Sequence, residues 1–257
     1  MKSNRRLKFL LVFLVILIYA MIGIIIFLKP TVDASYLMSR RWRSTPTPVS
    51  TPTLTPTKTA TPTSTSGTAA AILFSDDFNG TLSKWQVVYT GYGTVAIVNS
   101  QLSLAPQVST SSSETHAALV AAGDTSWTNY ILSVQMDTVQ QLRTGSTPNP
   151  WEVGWILFRY QDAQHFYYFI PKTNGIELGK FVNGTQTFLA TADTPKLTLN
   201  TLSTYKVALK GNNIQIFVNG TLVLNYTDAS SSFLSGKIGL YDEDAHVLYD
   251  NVAVTAN

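Results

Sequence analysis

From Leu73 to the C-terminus, apolar residues recur at every second position, and turn-forming residues interrupt them about every ten. A period of two belongs to strands, whose successive side chains point to opposite faces, and not to a helix of about 3.6 residues per turn. No stretch after residue 72 gives a long amphipathic helix, so the pattern predicts an all-β, antiparallel two-sheet sandwich. Fourteen strands are expected, the first at Gln86–Tyr89 and the last at Val247–Val254. Two hairpins are nearly written out: Phe181-Val182-Asn183-Gly184-Thr185 returns as Phe217-Val218-Asn219-Gly220-Thr221. Asn-Gly supplies the two positive-φ residues of a type I′ turn. Both segments, with Asn79-Gly80-Thr81 and Asn225-Tyr226-Thr227, also spell N-glycosylation sequons, but a turn already explains the three Asn-Gly pairs.

Residues 1–71 read differently. Phe9–Leu28 is a 20-residue run without charge or proline, enough at 1.5 Å per residue to cross a hydrocarbon core of about 30 Å. Lys2, Arg5, Arg6 and Lys8 precede it and place the N-terminus in the cytoplasm. A signal peptide cleaved near Val32-Asp33-Ala34 is the rival, but its apolar region would be about 7–15 residues. Ser44–Thr68 holds 11 Thr, 5 Pro and 4 Ser in 25 residues, too polar for a core. Extended at about 3.1 Å per residue, it reaches roughly 75 Å. The expected layout is a basic tail (1–8), a transmembrane anchor (9–28), a stem (29–43), a Thr/Pro linker (44–71) and the sandwich (72–257). That layout describes a single-pass plasma-membrane protein with its C-terminal domain outside.

Charge divides along the same boundary. Residues 1–71 carry nine basic side chains and one acid, whereas the remainder carries nine basic and fourteen acidic ones, a net −5. The basic balance belongs to the anchor and stem, where Arg40-Arg41-Trp42-Arg43 suits anionic head groups, and the domain has no electrostatic case for nucleic acid. The absence of cysteine excludes thiol catalysis, disulfides and thiolate metal sites, and fits a bacterial surface protein better than an animal ectodomain.

Several motifs carry a family likeness. Asp76-Asp77-Phe78 opens the domain, and Phe158-Arg159-Tyr160-Gln161-Asp162 precedes Tyr167-Tyr168. Phe217-Val218-Asn219-Gly220, Gly236-Lys237-Ile238-Gly239-Leu240-Tyr241 and Tyr249-Asp250-Asn251-Val252 follow. Through these, residues 72–257 resemble the concanavalin A-like lectin/glucanase superfamily, in its laminin-G-like and 3-keto-disaccharide-hydrolase-like branches. The resemblance implies a jelly roll whose concave sheet often binds glycans; it specifies fold far better than function.

Glucanases of that superfamily carry an E-x-D-x-x-E run that aims two carboxylates at one sugar, and no such run occurs here. Glu152 and Glu177 read as solitary acids among apolar residues, and Asp242-Glu243-Asp244 reads as a solvated turn. His116, His165 and His246 lack metal-ligand spacing, and no G-x-S-x-G elbow appears. Enzymatic activity is therefore the lesser expectation.

A binding face is easier to place. Pairing Tyr160 with His165 in a hairpin puts Trp151, Val153, Trp155, Leu157, Arg159, Phe166, Tyr168 and Ile170 on one face. Trp151 and Trp155 lie about 13 Å apart along a strand. They suit stacking platforms for neighbouring sugars, with Tyr168 beside them and Arg159 donating to hydroxyls. The competing reading is that these are core aromatics around a buried, paired arginine. Asp76, Asp77 and Asp250 are candidate ligands for a structural calcium ion, because terminal strands pair in the family resembled and calcium requires clustered carboxylates. The expected function is a membrane-anchored lectin-like module for cell-wall or extracellular polysaccharide. The alternatives are a glycoside-acting hydrolase resembling the 3-keto-disaccharide hydrolases, or an adhesion module with a protein partner.

Overall fold

The alternating pattern is realised as fifteen strands in the computed structural model, which describes residues 70–257. They are β1 (Ile72–Asp76), β2 (Gln86–Tyr89), β3 (Thr94–Val98), β4 (Gln101–Ala105), β5 (Ala117–Ala122), β6 (Tyr130–Gln141), β7 (Gly154–Asp162) and β8 (His165–Lys172). The series continues with β9 (Gly175–Val182), β10 (Thr185–Ala192), β11 (Ser203–Lys210), β12 (Asn213–Val218), β13 (Thr221–Thr227), β14 (Lys237–Glu243) and β15 (Ala245–Ala256). One sheet runs β13-β12-β11-β6-β15-β4-β3, with β1 also on β15; the other runs β10-β9-β8-β7-β14-β5-β2. The strand absent from the sequence reading is β1. Its pairing of Asp76 with Val252 brings the two ends of the domain together.

The sheets differ in how they use water. Along β6, buried and half-buried residues alternate, so one face packs inward and the other meets solvent. In β7 every residue from Gly154 to Tyr160 is buried. Ile156, Phe158, Tyr167, Phe169, Leu178 and Leu240 pack between the sheets against Leu132, Val134, Val207 and Ile216. Leu119, Val153, Trp155, Leu157, Phe166, Tyr168 and Tyr241 form a second apolar cluster on the outer face of the seven-stranded sheet. Both clusters consist of residues of the described domain, which therefore carries its own core. Asn183 (φ 53°) and Asn219 (φ 48°) each precede a positive-φ glycine, giving the two expected hairpin turns.

The β7–β8 hairpin keeps the expected register in its middle, with Ile156 opposite Phe169 and Phe158 opposite Tyr167. Near the turn it departs from the expectation. His165 pairs with Asp162, not Tyr160, because the register shifts between Phe158 and Asp162, where Arg159 adopts φ 47°. The bulge exchanges sides: Tyr160 joins the outer cluster and Arg159 leaves it. The Arg159 guanidinium is buried and donates to the carbonyls of Phe233 (3.0 Å), Thr128 (3.3 Å) and Gly211. Its backbone N–H is accepted by the Tyr130 hydroxyl at 2.8 Å. Gly236 is required beside it: its φ is +146°, and a Cβ would lie 2.4 Å from the Arg159 carbonyl carbon.

No helix among the described residues is long and apolar enough to cross a membrane. The expected tail, anchor and stem, and the Thr/Pro tract to residue 69, lie outside the described residues. Replacing the arginine tests the pin that joins three loops. Arg159→Met leaves three carbonyls without their donor, and each buried unpaired group costs about 1–3 kcal/mol. Urea unfolding of residues 70–257 is expected to show a loss of about 3 kcal/mol or more; unchanged stability would remove Arg159 from this role.

Candidate functional site

Cross-strand register sets Glu177, Ile170, Trp155, Tyr241, Leu119 and Tyr89 in one row across the outer face of the seven-stranded sheet. Trp155 is its centre. Its ring centroid lies 5.0 Å from both Tyr168 and Tyr241, and its indole N–H donates to the Trp151 carbonyl at 2.9 Å. Each flanking phenol ends on a carboxylate. The Tyr168 hydroxyl donates to Glu177 Oε1 (3.0 Å) and the Tyr241 hydroxyl to Glu243 Oε2 (3.2 Å). Burial, reinforced by these carboxylates, holds both phenols well above the usual tyrosine range. Tyr168 reaches Glu177 because Gly179 lies under it: a Cβ there would sit 2.1 Å from the phenol oxygen. Lys172 Nζ meets Glu177 Oε2 at 2.8 Å, and Gln186 Nε2 donates to the Tyr168 hydroxyl at 2.7 Å. Glu177 and Tyr241 are three strands apart, or roughly 14 Å.

A second polar group closes the other side. Asp242, Glu243 and Asp244 are buried, not solvated as the sequence suggested. The reason is that β14 runs on through Glu243, paired with Ala117, and the chain reverses within Asp244 at φ 44°. Asp242 points to the opposite side from Glu243 and accepts the Ala118 N–H at 2.7 Å. Arg143, from the β6–β7 loop, donates through Nε to Glu152 Oε1 (2.7 Å) and through Nη2 to Asp244 Oδ2 (2.5 Å). Nη1 and Nη2 also donate to the carbonyls of Ser111 and Glu114. Glu152 and Glu177, read from sequence as solitary, are thus both paired with cations. Even so, Glu152 Oε2 is buried without a hydrogen-bond partner among the described residues.

Two carboxyls here, Glu152 and Asp244, share the Arg143 guanidinium, and Glu243 lies within their field. Burial pushes Glu243 well above the ordinary carboxyl range, and Asp244 and Glu152 push it further. Burial also raises Glu152 and Asp244, against the pull of Asn149, Ser109 and Arg143. A carboxyl raised as Glu243 is holds its proton to higher pH than an exposed one and can act as an acid, a base or a hydrogen-bond partner for hydroxyls.

The four residues chosen from sequence do not share one open surface. Trp155 and Tyr168 are fully buried in the outer cluster, Trp151 is half-buried at its margin, and Arg159 lies across the sheet. Asp76 accepts from the Phe78 N–H (3.2 Å) and the Trp85 indole (2.9 Å), and Asp77 caps the turn at Asn79. Asp250 pairs with Gln135 on β6, two residues along β15 from the partner of Asp76. Among the described residues no three His, Cys, Asp or Glu side chains are grouped to hold a metal ion. Arg143 and Tyr241 were missed; the acidic run at 242–244 was their one visible sign. A cleft of about 190 Å³, lined by Ile176, Pro195, Leu197, Tyr205 and Val218 among others, contains none of the sequence candidates.

The fold defines an all-β jelly roll of the concanavalin A-like class. The model of the 3-keto-alpha-glucoside-1,2-lyase-like domain matches residues 73–255, and the chain belongs to that family. Among solved structures, the carbohydrate-binding module CBM66 from Bacillus subtilis is 20% identical with a TM-score of 0.55, covering 67% of this chain and 96% of its own. A Bacillus licheniformis beta-glucanase is 15% identical with a TM-score of 0.51, covering 74% of this chain and 100% of its own. Domain 4 of the extracellular arabinanase AbnA from Geobacillus stearothermophilus, solved with arabinotriose, is 13% identical with a TM-score of 0.52, covering 73% and 93%. These likenesses concern the fold. No curated protein matches the chain in sequence.

The acidic cluster has a consequence for stability. A carboxyl raised in the folded state favours folding while protonated, below an unfolded value of about 4.3, and that advantage falls away as pH rises towards the folded value. Glu243→Gln keeps an acceptor for Tyr241 and removes the buried charge. Its melting temperature is expected to exceed that of the parent at pH 7–8 and to converge with it near pH 4. A lower melting temperature at pH 8 would contradict the assignment.

Proposed function

We propose that the domain recognises carbohydrate over the outer face of the seven-stranded sheet. The observation that carries this reading is the aromatic cluster of Tyr168, Trp155 and Tyr241, bordered by Glu177 and Glu243, which is itself buried and comes to the surface at its Trp151 margin. Aromatic rings suit the C–H faces of sugars, and flanking carboxyls suit their hydroxyls. Membership of a family described by its action on a glucoside and the carbohydrate-related names of fold neighbours both support it. The apolar run Phe9–Leu28 and the Thr/Pro tract support presentation from a membrane towards cell-wall or extracellular polysaccharide.

The buried pair Glu152 and Glu243 favours a second reading, elimination on a 3-keto glycoside. The carbonyl at C3 acidifies the C2 proton; one carboxylate of the pair would take that proton as the C1–O bond breaks, and the other, protonated, would give its proton to the departing oxygen, leaving a C1–C2 double bond and a free alcohol. Turnover of a 3-keto glucoside by residues 70–257, lost in Glu243→Gln, would establish it; no turnover would leave recognition alone.

A glycan array and calorimetry test recognition. Trp151, half-buried at the margin of the row, is the variant of choice. Trp151→Ala is expected to weaken glycan binding about tenfold with little change in melting, and an array without binders would contradict the proposal. Protease added to intact cells should release the domain; its protection would contradict the outward topology.

A further inference from the structure

The loops beside the acidic cluster present a group that the aromatic row does not use. Tyr92, in the β2–β3 turn, is 66% exposed and adopts φ 60°. Its neighbours leave the turn little freedom. A Cβ on Gly91 would lie 2.4 Å from the Ala117 carbonyl oxygen, and one on Gly93 2.0 Å from that of Ala105. Gly93 N–H also donates to the Thr90 carbonyl (3.1 Å) and Gln107 N–H to that of Gly91 (2.9 Å). The backbone is thus packed down while the ring is held outward, edge-on to His116 with centroids 5.8 Å apart.

The bonding behind His116 fixes its tautomer. Asp244 Oδ2 faces the Arg143 guanidinium at 2.5 Å, and Oδ1 accepts the His116 backbone N–H at 2.9 Å, so Asp244 is a carboxylate. Ser109 has one hydroxyl proton, and it goes to Asp244 Oδ1 at 2.5 Å. The contact of 3.0 Å between Ser109 Oγ and His116 Nδ1 then requires Nδ1 to be the donor. Neutral His116 therefore carries its proton on Nδ1. Nε2 is left as an acceptor without a hydrogen-bond partner among the described residues.

We infer that Tyr92 and His116 form a further sugar subsite, in which a pyranose or furanose ring stacks on Tyr92 and one of its hydroxyls donates to His116 Nε2. The inference rests on carbohydrate recognition by the domain and extends it from the sheet to its loop end, since His116 adjoins Ala117, the partner of Glu243 across the β5–β14 pair. The chemistry selects a neutral polyhydroxyl ligand. An acceptor backed by a carboxylate, with Glu114 on the same loop, disfavours phosphate, sulfate and uronate groups.

Imidazole ¹⁵N NMR of residues 70–257, with arabinotriose, laminaritriose and maltotriose as probes, tests this. The Nδ1–H tautomer is expected in the free domain, and a probe that binds should move the His116 Nε2 resonance. Tyr92→Ala should then weaken that probe about tenfold without changing the melting temperature, while Tyr92→Phe should not. His116→Gln, which keeps an acceptor near the Nε2 position, should retain more affinity than His116→Asn, which keeps only the bond to Ser109. An Nε2–H tautomer overturns the subsite whether or not a glycan binds. A probe that binds but leaves the His116 resonances unmoved, with its affinity unchanged in Tyr92→Ala, overturns the subsite and upholds the sheet-face reading. If none of the three probes binds, the subsite falls, and a blank array would take carbohydrate recognition with it.

Discussion

The two-sided burial of β7, β8 and β14 is the constraint from which the rest of the domain follows. A strand that meets solvent on one face needs only alternation, as β6 does. A strand buried on both faces must be apolar throughout, and any polar group placed beside it has to find a partner. This is why Tyr168 and Tyr241 each end on a glutamate, and why Arg143 divides its donors between two carboxylates and two carbonyls. It also explains the bulge at Arg159. A long cation could not stay on the outer row without disrupting it, so the backbone turns it towards three carbonyls.

This constraint also set the limit of what could be read from sequence. Period-two alternation and the Asn-Gly pairs made the sandwich and its hairpins legible, because both signals are local. The middle of the β7–β8 register was legible too, since a slip would have exchanged two faces that are both aromatic yet differ in partner. The bulge was not, because Phe158-Arg159-Tyr160 reads as ordinary alternation and only tertiary contacts with Phe233, Thr128 and Gly211 draw the arginine across. Asp242-Glu243-Asp244 misled for a related reason. An acidic run reads as a solvated turn unless the counter-cation is known, and Arg143 lies far away in the chain.

Charge at the outer face is concentrated at its two sides, Lys172 with Glu177 and Arg143 with the acidic cluster, and the middle is aromatic. That arrangement suits a ligand with apolar faces and a hydroxylated rim better than a flat protein partner, whose interface would have an apolar core and a mixed polar rim. It also separates two kinds of carboxyl chemistry. Asp244 meets the Arg143 guanidinium directly, whereas Glu243 has no cation in contact among the described residues and is pushed well above the ordinary carboxyl range.

The central claim is that ligand lies on the outer face of the seven-stranded sheet, at the Trp151 margin of the Trp155 row. The most direct measurement is a structure of residues 70–257 bound to an oligosaccharide that the domain retains. The account predicts a sugar ring against Trp151, at the margin of the aromatic row on the outer face of the seven-stranded sheet. Sugar bound on the eight-stranded sheet, or in the cleft beside Pro195, with the aromatic row untouched, would contradict it.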